Sequence, residues 1–106
     1  MIVANGDMMD KLNTEELDAC MTDLTEWSVG TDKIQRTYSM EDFAEAMTFV
    51  NQIAAHAEDA QHHPDILIRY NKVTLTLSTH DAGGITEKDT DFAAVADSLQ
   101  PAQQTG

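Results

Sequence analysis

Three of the chain's four histidines, His62, His63 and His80, bracket a single stretch, "HHPDILIRYNKVTLTLSTH". Imidazole gives and takes protons near neutral pH, and a neighbouring carboxylate fixes its tautomer and orientation. Two carboxylates are candidates for that role. Glu58 lies four residues before His62, one helical turn away, and Asp89 follows the Gly83-Gly84 turn. Such a set suits general acid–base chemistry; the bland reading of the same residues is a group of surface histidines at a strand end. A three-histidine metal site is the weaker alternative, because adjacent side chains such as His62 and His63 cannot easily aim at one ion. His56 falls outside the cluster and is expected to be ordinary and exposed.

The elements that would carry these residues follow from local signals. Asn13 with Glu16 starts a first helix, in which Leu17, Cys20, Met21 and Leu24 recur at helical spacing, with Cys20 buried. Gly30-Thr31-Asp32 then separates two runs rich in β-branched and aromatic residues, which reads as a hairpin. Ser39 with Asp42 begins the longest helix, with Phe43, Ala46, Met47, Val50, Ile53, Ala54 and Ala57 as its apolar stripe. Pro64 biases His63 out of the helical region, so this helix ends near Gln61 or His62. A second hairpin follows, and Thr86 with Asp89 opens the last helix, which buries Phe92, Val95, Ala96 and Leu99. The order α-β-β-α-β-β-α predicts an α+β fold, a four-stranded antiparallel sheet with helices packed on one face.

The second hairpin gathers the imidazoles. With Asn71-Lys72 as a two-residue turn, Tyr70 faces Val73, Ile68 faces Leu75 and Ile66 faces Leu77. A one-residue slip would mismatch these apolar pairs. Extended past Pro64, the same ladder sets His63 opposite His80, where Cβ atoms of paired residues lie roughly 4.5–5.5 Å apart. Alternation puts Ile66, Ile68, Tyr70, Val73, Leu75 and Leu77 under the helices. His63 and His80 then share the other face with Thr74, Thr76 and Ser78.

Size and charge narrow the function classes. The 106 residues fit one domain, with residues 1–11 and 101–106 expected to fray. A formal net charge of −13 with six scattered Lys and Arg argues against nucleic-acid binding. The single cysteine, Cys20, permits no internal disulfide and no thiolate zinc site. "MIVANGDMMDKL" does not read as a signal peptide, and no apolar run approaches the ~20 residues of a membrane span. A soluble cytoplasmic protein is the expectation.

Taken together, "E58-x-x-x-H62-H63-P64", Tyr70, and "T79-H80-x-x-G83-G84-I85-T86-x-x-D89" resemble the pterin-4a-carbinolamine dehydratases, also called dimerisation cofactors of a homeodomain transcription factor. The similarity runs from about Leu24 to Leu99 and includes Trp27 and the "YNKV" turn. The resemblance implies dehydration of 4a-hydroxytetrahydropterin to quinonoid dihydropterin and water, in tetrahydropterin recycling, with no metal or cofactor. It also implies that His62, His63 and His80 are catalytic. In the family the paired histidines act as acids toward the leaving 4a-hydroxyl, and the distal one helps bind or deprotonate the pterin. Glu58 and Asp89 match the supporting carboxylates, and Pro64, Ser78 and Thr79 match positions along the pterin ring. Animal members often carry an aspartate before the first histidine and a tryptophan two residues after the proline; here Gln61 and Ile66 stand there.

The alternative reading, from a different functional class, is a non-catalytic oligomeric interaction or assembly module on the same fold. Either way a homo-oligomer is expected: the resemblance implies dimers, and tetramers formed through helix packing, with the tetramer as the expected form. Met40, Ala44 and Phe49 lie off the main helical stripe and would supply apolar surface for helix packing.

Overall fold

The computed structural model describes residues 10–101; the expected fraying at the two ends falls largely outside them. Helix α1 (Thr14–Met21) opens on the expected capping box, in which Asn13 and Glu16 cap each other's backbone N–H. It is followed by β1 (Ser28–Val29), β2 (Ile34–Ser39), α2 (Phe43–Ala60), β3 (Asp65–Arg69), β4 (Lys72–Leu77), a 3-10 turn (His80–Ala82) and α3 (Glu87–Leu99). The four strands form one open antiparallel sheet in the order β1-β2-β4-β3, so the α+β architecture and element order are as expected. Ile34 and Tyr38 from β2 join Val73, Leu75 and Leu77 from β4 in a core closed by Phe49, Ile53 and Phe92 from the helices.

Four local expectations are corrected. The long helix is capped by Asp42, whose carboxylate accepts the Glu45 N–H, while Ser39 is the last residue of β2. Its buried side is Ala46, Phe49, Val50, Ile53 and Ala57; Phe43 and Ala54 are exposed and Met47 is half-buried. Phe49 belongs inside because its ring meets Tyr38 at 4.7 Å between centroids. Met40 is buried too, so of the residues read as surplus apolar surface only Ala44 remains exposed. Cys20 is half-buried rather than buried.

The β3–β4 hairpin is displaced by two residues from its expected register. Ile66 pairs with Leu75 and Ile68 with Val73, and the turn is Tyr70-Asn71 between paired Arg69 and Lys72. Tyr70, not Asn71, takes the positive φ of 54°, and it projects into solvent, 67% exposed. The cause is a tertiary contact. Asn71 donates its side-chain amide to the Met40 carbonyl and accepts the Met40 N–H on its own carbonyl, both at 2.8 Å. Those bonds anchor Asn71 to the β2–α2 junction. A shift of two keeps side-chain parity, so the assignment of faces survives, but Ile66 and Tyr70 are exposed instead of covered by the helices.

Candidate active site

The end of α2 decides where the paired histidines go. Gln61 adopts the left-handed conformation at the helix C-cap (φ 55°), and the His62 N–H closes on the Ala57 carbonyl at 3.1 Å. This sharp exit sends the two rings apart. His62 turns inward, and its Nε2 lies 2.6 Å from Asp89 Oδ1; His63 turns outward, and its Nε2 lies 2.7 Å from Glu58 Oε2. An ionised carboxylate only accepts, so Nε2 carries the proton in each pair. The expected pairing of Glu58 with His62 is therefore replaced by Glu58 with His63, and Asp89 takes His62.

His80 arrives by a different route. Beyond β4, Thr79 forms an isolated bridge with Gly84, its N–H donating to the Gly84 carbonyl at 2.8 Å. The intervening 3-10 turn begins at His80 and closes at Gly83, whose φ of 74° suits glycine. Gly84 is buried, and a Cβ there would require the Lys11 side chain to move aside. Among the described residues the His80 ring has no hydrogen-bonding or ionic partner.

His63 and His80 line one cleft of about 290 Å³, on the sheet face that the helices leave open, with Asp32, Lys33, Asp65, Thr76 and Ser78. That volume lies near the lower bound of roughly 300 Å³ for small-molecule ligand sites. A larger concavity of about 570 Å³ at the hairpin tip, Arg69 to Lys72, contains neither histidine nor carboxylate. His62 does not line the cleft. It faces a separate cavity between α2 and α3 with His56 and Phe92. The expected opposition of His63 and His80 becomes, in the corrected register, a shared cleft in which Ser78 stands nearer to His63 in the ladder.

Behind the cleft sits a buried polar knot. Asp89 is fully buried; besides His62, its Oδ2 accepts the Thr79 hydroxyl at 2.8 Å and the Thr86 N–H at 2.9 Å. Thr79 also bonds the Thr86 hydroxyl at 2.7 Å. Asp89 is thus at once the capping-box residue of α3, the partner of His62 and the anchor of the strand end leading to His80. Of the expected pterin-contacting positions, Ser78 is exposed in the cleft, Pro64 is half-buried, and Thr79 spends its hydroxyl on this knot.

Comparison with known proteins decides the family. A protein-family model described as pterin 4 alpha carbinolamine dehydratase matches residues 10–99. The chain belongs to that family. A curated relative from Picosynechococcus sp., provisionally named a pterin-4-alpha-carbinolamine dehydratase, is 49% identical over 92 residues, 87% of this chain and 100% of its own. A relative from Gloeobacter violaceus with the same provisional name is 46% identical over 90 residues, covering 81% of this chain and 98% of its own. Among solved structures, a transcriptional coactivator/pterin dehydratase from Brucella melitensis superimposes with a TM-score of 0.83 at 32% identity, over 87% of this chain and all of that one. A pterin dehydratase-like protein identified as a RuBisCO assembly factor in the alpha-carboxysome shares the fold at a TM-score of 0.63 and 23% identity, over 74% of this chain and 93% of its own.

Sequence reasoning missed part of this family member's cleft wall. Asp32 and Lys33 come from the β1–β2 turn and reach the histidines only because β2 pairs with β4, Ile34 opposite Leu77. No local signal in the chain announces that strand order. His56, expected to be an ordinary exposed residue, is half-buried with its ring 4.7 Å from that of Phe92. Among the described residues no three His, Cys, Asp or Glu side chains converge as metal ligands, and no helix is long and apolar enough to cross a membrane.

Proposed function

We propose that the protein dehydrates 4a-hydroxytetrahydropterin to quinonoid dihydropterin and water, in cytoplasmic tetrahydropterin recycling, by histidine acid–base catalysis without metal or cofactor. The observation that carries this reading is the asymmetry of the two imidazoles in the cleft. His63 is held by Glu58, whereas among the described residues His80 has no such partner. Protonated His63, oriented by a carboxylate complementary to its charge, gives a proton to the 4a-hydroxyl. The C4a–O bond then breaks, its electron pair leaves with water, and the ring becomes cationic. Neutral His80 takes a ring N–H proton, which restores neutrality in the quinonoid product. Ser78 and Pro64 border the ring, and Asp89 with Thr79 holds the wall. His62, paired with Asp89 behind that wall, acts through position: it fixes Asp89, hence Thr79, hence His80.

The test is the decay of 4a-hydroxytetrahydropterin followed by absorbance, with EDTA present. Wild-type protein should accelerate it with a bell-shaped pH dependence, and His63→Ala and His80→Ala should each lose at least about tenfold, the low side of what a proton-transfer group supplies. Decay at the buffer rate would favour the second reading, an interaction or assembly module. Activity that disappears with EDTA would point to a metal instead.

The second reading is favoured by apolar side chains left open to solvent, notably Val29, Phe43, Leu67 and Tyr70. The same surface supports a homo-oligomer under either reading, and a tetramer is the proposed form. Light scattering at micromolar concentration should return a multiple of the monomer mass; a monomer would remove the oligomer from the proposal.

A further inference from the structure

Outside the cleft, a cavity between α2 and α3 brings together one lysine and two histidines. This space of about 190 Å³ is lined by His56, Ala60, His62, Lys88, Asp91, Phe92 and Val95. Its floor is the Phe92 ring, buried to 1% exposure, with the His56 ring at 4.7 Å and the His62 ring at 6.2 Å between centroids. The chain carries 19 Asp and Glu against six Lys and Arg, so a cation here has many carboxylates available. Even so, among the described residues neither the Lys88 ammonium nor either His56 ring nitrogen has a hydrogen-bond or ion-pair partner. Asp91 shares the cavity without forming an ion pair with Lys88. His62 has committed Nε2 to Asp89, which leaves Nδ1 open. Three nitrogen-bearing side chains with hydrogen-bonding capacity to spare therefore surround an aromatic floor.

We infer that this cavity is a second binding site, distinct from the cleft, for a small aromatic carboxylate. Size sets the scale: a closed cavity of about 150 Å³ holds a benzene ring, so the covered part of this half-open space seats one aromatic ring. The lining sets the orientation. Ala60, Phe92 and Val95 would cover the ring faces and edge, and the carboxylate would accept from Lys88 and from the donating nitrogen of His56. A bare phosphate would leave the apolar half uncovered, and an aromatic amine would meet Lys88. This assignment does not rest on the dehydratase reading: it uses His62 only as a lining residue, and His63 and His80 not at all.

The probe is benzoate, titrated into the full chain and followed by the imidazole NMR signals of all four histidines. Benzamide and benzylamine serve as uncharged and cationic controls. Benzoate should give saturable shifts at His56 and His62, with half-saturation on the order of a millimolar for so small a ligand. Benzamide should bind at least fivefold more weakly, and benzylamine should not saturate. Lys88→Gln should weaken benzoate about fivefold, and Val95→Trp should abolish saturation by filling the space while the fold, read from the remaining signals, persists. Equal affinity for benzoate and benzamide would overturn the proposal. So would tighter binding of benzylamine, which would make Asp91 the recognising group. Shifts confined to His63 and His80 and unchanged by Val95→Trp would also overturn it, because the ligand would then sit in the cleft. Since dehydratase activity is not the readout, an inactive protein can pass this test and an active one can fail it.

Discussion

Two carboxylates on α3, one at each end, hold this molecule together in different ways. Asp89 sits in the first turn, where the helix dipole favours a negative charge; Asp97 sits in the last turn, where the dipole opposes one. Asp89 spreads its contacts over both oxygens, to a ring nitrogen, a hydroxyl and a backbone N–H. Asp97 gathers three donors on Oδ1: Trp27 Nε1 at 3.1 Å, Arg36 Nη1 at 2.8 Å and the Tyr38 hydroxyl at 2.5 Å. Arg36 also lies over the Tyr38 ring, 4.3 Å from its centroid, and bonds Gln100. An unfavourable dipole of about 0.3–1 kcal/mol is outweighed by charge-assisted hydrogen bonds worth roughly 1.5–3 kcal/mol each. The chargeable partner differs as well. Asp97 faces a guanidinium that stays charged, whereas Asp89 faces an imidazole that can gain or lose a proton. A fixed partner suits a structural clamp, and a titratable one suits a position beside a site of proton transfer.

That contrast can be broken by replacing each carboxylate in turn. Asp97→Ala strips three buried or half-buried donors of their acceptor and should cost about 3 kcal/mol in urea unfolding, with little effect on activity per folded molecule. Asp89→Asn keeps the shape, and its amide can still serve Thr79, Thr86 and the other tautomer of His62. The stability cost should be smaller, about 1–2 kcal/mol. Activity should fall tenfold or more, because a shift of about 1 Å in reacting groups is enough for such a loss. Equal ratios of lost activity to lost stability in the two variants would mean that the two ends of α3 do the same work.

The two hubs also differ in how far they could be read from the sequence. Asp89 was legible because a capping box is local: Thr86 and Asp89 are three residues apart, as are Asn13 and Glu16 at α1. Asp97 was not, because its donors lie 59 to 70 residues away and meet it only in the folded chain. The hairpin shows the same boundary. Alternation identified the open face with His63, Thr74, Thr76, Ser78 and His80, since any even shift preserves it. The turn itself was missed, because the Asn71–Met40 bonds that fix it are tertiary. Glu58 was assigned to the neighbouring histidine for a related reason. One left-handed residue, Gln61, rotates everything after it, and helical spacing does not extend past that point. In α2, spacing placed Phe43 on the buried stripe and Phe49 off it, the reverse of what the fold does. That choice belongs to Tyr38 on β2.

The smallest effect concerns that tyrosine and sharpens the clamp half of the comparison. The Tyr38 ring packs edge-on against Trp27 at 6.2 Å and is 1% exposed. Burial, then the hydrogen bond to Asp97 and its charge, push the phenol well above the usual tyrosine range, and Arg36 offsets this only in part. The sign follows from which state holds the proton. An unfolded tyrosine ionises near pH 10 while folded Tyr38 keeps its proton, so the folded state binds more protons above that point. The contribution is complete below about pH 10 and is lost as pH rises further, at up to about 1.4 kcal/mol per pH unit for one group. At pH 7, Tyr38→Phe should cost only about 1 kcal/mol, because Asp97 retains Arg36 and Trp27. Between pH 9 and 11 the wild type should lose stability more steeply than Tyr38→Phe, by about 1 kcal/mol in urea unfolding. Parallel curves for the two proteins would mean that Tyr38 ionises in place, and that the Asp97 hub gives way at high pH instead of holding.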